Sequence, residues 1–153
     1  MADFFEWFFD LPVIFQALGG VIIGAIPFLE SYIAGFLGAM FGFPWPFALL
    51  AGVVGNVLAL IVAVPLGARV AARRQGKEMT LRQQKVLDRT NRFGIPVAAL
   101  LAPTLMAISL TAFIMAAAGL ERRRTFWWNV VAVVVWGAAL TGFGVWAREV
   151  FVT

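Results

Sequence analysis

The stretch GIPVAALLAPTLMAISLTAFIMAAAGL, Gly94–Leu120, lies between two basic segments, Arg69–Arg92 and Arg122–Arg124. Lys and Arg next to membrane segments concentrate on the cytoplasmic side. An apolar segment held on one side at both ends is expected to enter and return; the alternative, one kinked spanning helix, would leave Arg122–Arg124 outside. Broken backbone at membrane depth is tolerated only around a cavity or inside protein, as in channels and transporters. Pro96 and Pro103 supply the breaks within this stretch, since proline lacks the N–H and clashes with the preceding turn.

Composition makes lipid the expected solvent. The 153 residues are 62% hydrophobic and only 13% charged, far from the roughly 25% charged of soluble domains. The net charge of +4 sits mostly in the two basic segments. It therefore indicates topology and attraction to anionic lipid, with no nucleic-acid partner. There is no Cys and no His, which removes disulfides, zinc fingers, haem-ligating His and Ser-His or Cys-His catalysis. With a single deep acid there is no pair for general acid–base work, so neither an enzyme nor a cofactor is expected.

Outward from Gly94–Leu120 the same logic divides the chain as one integral membrane domain, 1–153. Residues 47–66 and 125–147 are clean spans, about 20 residues being the length a bilayer needs. The first carries Asn56 beside Gly52 and Gly55; the second opens on Phe126-Trp127-Trp128 and closes on Trp146, the aromatic belts of the two interfaces. Residues 11–43 are apolar but interrupted by Gly19-Gly20, Gly24, Pro27 and Glu30. Each remaining piece would reach only ~21 Å as a helix, short of the ~30 Å hydrocarbon core, so 11–43 is predicted to be a second hairpin. Asp3 to Asp10 is an aromatic and acidic lead-in at the interface.

Residues 69–93 form a basic cytoplasmic linker. Thr80-Leu81-Arg82-Gln83 fits a capping box, and Arg82, Lys85, Arg89 and Arg92 then fall on one helical stripe. That stripe would face anionic lipid, or the segment is a solvated loop. Half one, 1–68, and half two, 94–153, are each a broken hairpin followed by a span. The spans run in opposite directions, which makes an inverted repeat of re-entrant hairpin plus transmembrane helix, with a site expected where the hairpins meet near mid-membrane.

Several short motifs resemble a known family. Gly24-Ala25-Ile26-Pro27-Phe28-Leu29-Glu30-Ser31, then Gly55-Asn56, resemble the bacterial small multidrug export membrane proteins of the DedA (VTT, SNARE-associated) superfamily. In the second half Arg92-Phe93-Gly94, Pro103, Arg124-x-Phe126 and Asn129-x6-Trp136 follow the order of the DedA motifs. The resemblance covers nearly the whole chain and implies paired re-entrant hairpins and a transport role: recycling of undecaprenyl phosphate, or scrambling of phospholipid in eukaryotic relatives. It departs at one point. DedA proteins carry arginines three residues either side of the second-hairpin proline, where this chain has Leu100 and Met106, so phosphate binding by those arginines does not carry over.

Glu30 is the sharpest candidate. A carboxylate at such depth costs about 3 kcal/mol on insertion scales, and such groups serve proton or ion pathways or pair with cations. It equally suits the positive end of a half-helix that starts after Pro27. Half-helices starting at Pro27 and Pro103 would present free N–H groups to an anion, with hydroxyls from Ser31 and Thr104 close by. Asn56 is either a packing contact or a ligand group, and the motif likeness adds Asn129. The expected protein is a multi-pass transporter of the bacterial inner membrane, self-associating as a homodimer, that moves or flips a lipid-linked or amphipathic substrate with protons coupled through Glu30. The alternatives are an exporter of lipophilic cations and a non-transporting assembly factor that uses the basic linker.

Overall fold

The computed structural model describes residues 10–74 and 90–151. Among these residues every regular element is helical: α1 (Val13–Ala25), α2 (Glu30–Met40), α3 (Trp45–Arg74), α4 (Ile95–Leu105), α5 (Ile108–Ala117) and α6 (Arg122–Phe151). A π-helical turn, Thr90–Gly94, leads into α4. The protein is all-α. Arg82, Lys85, Arg89 and the capping box at Thr80–Gln83 lie outside the described residues.

Helix lengths fall into two classes. α3 and α6 have 30 residues each, about 45 Å at 1.5 Å per residue, and both are long and apolar enough to cross a bilayer. α1, α2, α4 and α5 have 13, 11, 11 and 10 residues and reach no more than about 20 Å. The distribution of side chains over the long helices points to a membrane protein. On α6 the buried stripe is Thr125, Asn129, Ala132, Val133, Gly137, Thr141, Gly144 and Ala147, whereas Trp127, Val131, Val134, Val135, Phe143 and Trp146 are exposed. Small and polar residues face inward and large apolar ones outward, the reverse of a soluble helix.

Two compact units make up the chain: Met1–Val57 with Val133–Thr153, and Leu58–Ala132. Each contains one pair of short helices and part of each long helix. They therefore cut across the sequential halves 1–68 and 94–153, because helices of about 45 Å serve both.

In the first unit α1 and α2 pack together around the break at residues 26–29. Their seat is a surface without side chains. A Cβ on Gly24 would collide with the carbonyl oxygen of Gly52, one on Gly55 with that of Val21, and one on Gly52 would lie 2.8 Å from that of Ser31. α2 is held against α6 in the same way, Gly35 facing the Thr141 hydroxyl and Gly137 lying beside Ser31. In the second unit Gly67 of α3 meets the Phe113 carbonyl of α5. α3 continues through Pro65 as far as Arg74, beyond the expected end at 66, so Arg69 to Arg74 are helical.

Residues 95–117 fold back on themselves. The main-chain N–H of Glu121 donates to Asn91 Oδ1 at 2.8 Å, so the chain leaving α5 returns to where it entered α4. The break is at Met106–Ala107, where Met106 is extended at φ −163°, ψ 175°. Pro103 does not start a half-helix as expected. It lies in the last turn of α4, and the second half-helix begins at Ile108. The turn after Pro103 survives because Met106 N–H still donates to the Ala102 carbonyl at 2.8 Å.

α2 and α5 end alike. Gly42 and Gly119 have φ of 93° and 85°, Phe43 N–H bonds to the Gly38 carbonyl at 2.9 Å and Leu120 N–H to that of Met115 at 3.2 Å. This is the six-to-one closure of a Schellman motif, with the hydrophobic residue after each glycine buried.

An alanine scan of glycines should separate the two packing regimes. Gly→Ala in an exposed helix interior stabilises by roughly 0.5–1 kcal/mol, and Gly142→Ala, with nothing within 4 Å of its Cβ, should raise the thermal midpoint in detergent slightly. Gly55→Ala should lower it, by the 1–3 kcal/mol typical of overpacking. Equal midpoints for the two variants would show that α1 does not press on α3.

Candidate functional site

The break in the first hairpin places a carboxylate in the interior. Ile26 is extended at φ −79°, ψ 124° and ends α1. Pro27 occupies the turn and is exposed, as are Phe28 and Leu29. Glu30, the first residue of α2, is only 1% exposed. Phe28 and Glu30 both take the left-handed conformation, φ 74° and 46°, which costs a non-glycine residue about 1–2 kcal/mol. The main chain thus twists to turn the acid inward while its hydrophobic neighbours face out. Glu30 N–H is held by the Ile26 carbonyl at 3.1 Å, and no side chain caps the start of α2. Tyr32 lies within electrostatic reach of Glu30.

Around this acid the first unit buries further polar groups. The Ser31 hydroxyl is fully buried and donates to the Val133 carbonyl of α6 at 3.1 Å. Asn56 is fully buried, and neither atom of its amide finds a hydrogen-bond partner among the described residues; the same holds for the hydroxyl of buried Thr141. Thr141 also lines an open, mostly apolar cleft with Trp45, Leu49, Ala138, Gly142 and Val145. The Asn56 atoms and Thr141 hydroxyl are spare hydrogen-bonding capacity in a setting where such capacity is costly.

A second polar cluster lies in the other unit. Asn129 is fully buried; its Nδ2 donates to the Thr125 carbonyl at 2.7 Å and approaches Met115 Sδ at 3.8 Å. Its Oδ1 and the hydroxyls of Thr125 and Thr111 have no partner among the described residues. Pro103 is half-buried, and Thr104 is exposed with its hydroxyl bonded to Leu101 of its own helix at 2.6 Å. Thr104 is thus occupied locally, while Glu30, Ser31 and Asn56 share the interior of one unit and Asn129 the interior of the other. Arg92 lies on the surface at the π-helical turn. Thr141 and Thr125 had no motif to mark them; the clue was the buried stripe of α6, legible as threonines and glycines three and four residues apart.

Comparison with protein-family models, with characterised proteins and with solved structures gives no match. The likeness to DedA proteins rests on the quoted motifs.

Asn56 tests whether the spare polar groups serve folding. An unsatisfied buried amide costs about 1–3 kcal/mol, so Asn56→Val, with one side-chain heavy atom fewer, should leave thermal stability unchanged or raised. A loss of more than about 1 kcal/mol would show that the amide is bonded in the folded protein.

Proposed function

We propose that this chain is a small multi-pass membrane transporter of DedA-like type, built as an inverted repeat of re-entrant hairpin and transmembrane helix, that moves a lipid-linked or amphipathic substrate such as undecaprenyl phosphate or phospholipid. The observation that carries the proposal is Glu30: a fully buried carboxylate at the break of an apolar hairpin, on main chain in a conformation unfavourable for glutamate. A fold that needed only a helix start would use a less costly residue and keep the acid exposed. Ionisable groups inside membrane segments serve proton or ion pathways, and this reading gives Glu30 that role in a transport cycle.

Helix lengths support the membrane arrangement. Four helices of 10 to 13 residues are too short to cross and suit paired re-entry, while the two 30-residue helices suit full spans. The Asn91–Glu121 bond matches a hairpin entering and leaving through one face. The open cleft beside Thr141 gives an amphipathic molecule an approach from lipid. A bacterial inner membrane and a homodimer complete the proposal.

Two experiments test it. In reconstituted vesicles under a proton gradient, Glu30→Gln should lose at least tenfold of lipid-substrate flux with its elution profile and thermal midpoint intact; unchanged flux would reject Glu30 as the coupling group. For topology, cysteines placed singly at Glu78 and Glu121 in intact cells should both resist a membrane-impermeant thiol reagent until the cells are opened. Labelling at 121 alone from outside would turn α4–α5 into an ordinary crossing.

A further inference from the structure

α6 begins with Arg122-Arg123-Arg124 and has no acidic residue in its first turn. The N-terminal end of a helix is already positive, and cations are disfavoured there. Three arginines at that place gather positive charge that helix formation does not use. The first turns of α6 also present an open, shallow depression lined by Glu121, Arg123, Arg124, Trp127 and Trp128. Trp127 is 57% exposed, its ring set edge-on to Phe126 at 5.4 Å between centroids. Glu121 is exposed, and its main chain is pinned on both sides, its N–H to Asn91 and its carbonyl to the N–H of Thr125.

This lining holds both signs of charge and two indoles. Guanidinium groups match phosphate through paired N–H donors. A carboxylate beside an indole face matches an ammonium group. A helix of about 45 Å carries its ends past the ~30 Å hydrocarbon core, and tryptophans favour the headgroup layer, so the molecule that offers phosphate and ammonium together at this depth is a lipid.

The other turn between a hairpin and a long helix shows why this depression is different. There Arg148, Glu149 and Trp45 line a cleft of about 550 Å³, but the Arg148 guanidinium is spread over Gly42, 3.1 Å from where a Cβ would stand. That arginine serves the negative C-terminal end of α2. Gly119, the corresponding glycine of α5, has nothing within 4 Å of its Cβ position, so no arginine lies over it.

We propose that the depression at the start of α6 binds the headgroup of a zwitterionic phospholipid, the phosphate on Arg123 and Arg124 and the ammonium between Glu121 and the ring of Trp127. The site does not depend on Glu30 or on transport.

The test uses full-length protein in mixed micelles holding equimolar dioleoyl phosphatidylethanolamine and dioleoyl phosphatidylglycerol, with retained lipid counted by native mass spectrometry. The wild type should retain phosphatidylethanolamine in excess, and Glu30→Gln should keep that preference. Arg123→Gln with Arg124→Gln should cut retention of both lipids about tenfold. Glu121→Gln, which leaves the main-chain bonds in place, should reverse the preference toward phosphatidylglycerol while the elution profile is unchanged. Preference for phosphatidylglycerol in the wild type, or an unaltered ratio in Glu121→Gln, would overturn the proposal in favour of a plain anionic-lipid patch. Displacement of bound lipid by millimolar inorganic phosphate would overturn it in favour of a free-phosphate site.

Discussion

The architecture depends on close contact of main chain with main chain. In lipid, burying apolar side chains gains little, because hydrocarbon outside is as apolar as the protein inside; helices associate where small residues let backbones approach and dispersion contacts accumulate. Gly24 against Gly52, Gly55 against Val21 and Gly67 against Phe113 are such contacts. Helices of 10 to 13 residues could not hold a break among them without a long helix pressed this closely, and the break is what turns Glu30 inward. The glycines of α3 are thus the structural condition for the buried acid.

Much of this was legible from residue types. Pro27 falls in the turn that separates α1 from α2, and Pro44 immediately precedes α3, both as a residue without an N–H requires. The two long helices were evident from their unbroken apolar length. The departures have two causes: the first span ends at 66 only if the bilayer thickness sets its length, and Pro103 marks a break only if proline acts alone. α3 in fact continues through Pro65 to Arg74, longer than a crossing requires. Pro103 sits inside α4, and the chain breaks at Met106–Ala107 instead, where no residue type marks a break. Gly42 and Gly119 were present as plain glycines; their positive φ arises because each closes a helix whose following residue is buried, a long-range fact.

The candidate site was legible as a list and not as an assembly. Glu30 stood out because it is ionisable in an apolar run, and Asn56 because it is the only polar side chain in its span. Their burial followed from the helix faces. Thr104 and Ser31 looked equivalent as hydroxyls after a proline, yet one is exposed and bonded to its own helix while the other reaches across to Val133. The difference arises because Thr104 precedes its break, on the outer side of α4, and Ser31 follows its break, facing α6.

The two hairpins share their closing motif but not their charge. Both second helices carry a buried serine at their second residue and a buried alanine three residues on, and both end on a positive-φ glycine followed by a buried hydrophobe. Only the first has an acid at its break; the residue that corresponds to Glu30 is Ile108. Only the second is followed by three arginines. The likeness lies in main-chain geometry and charge is no part of it: one break is acidic and one exit is basic. The same main-chain closure thus carries different side chains at its break, Glu30 in one hairpin and Ile108 in the other, because a positive-φ glycine and a buried hydrophobe are all that it requires.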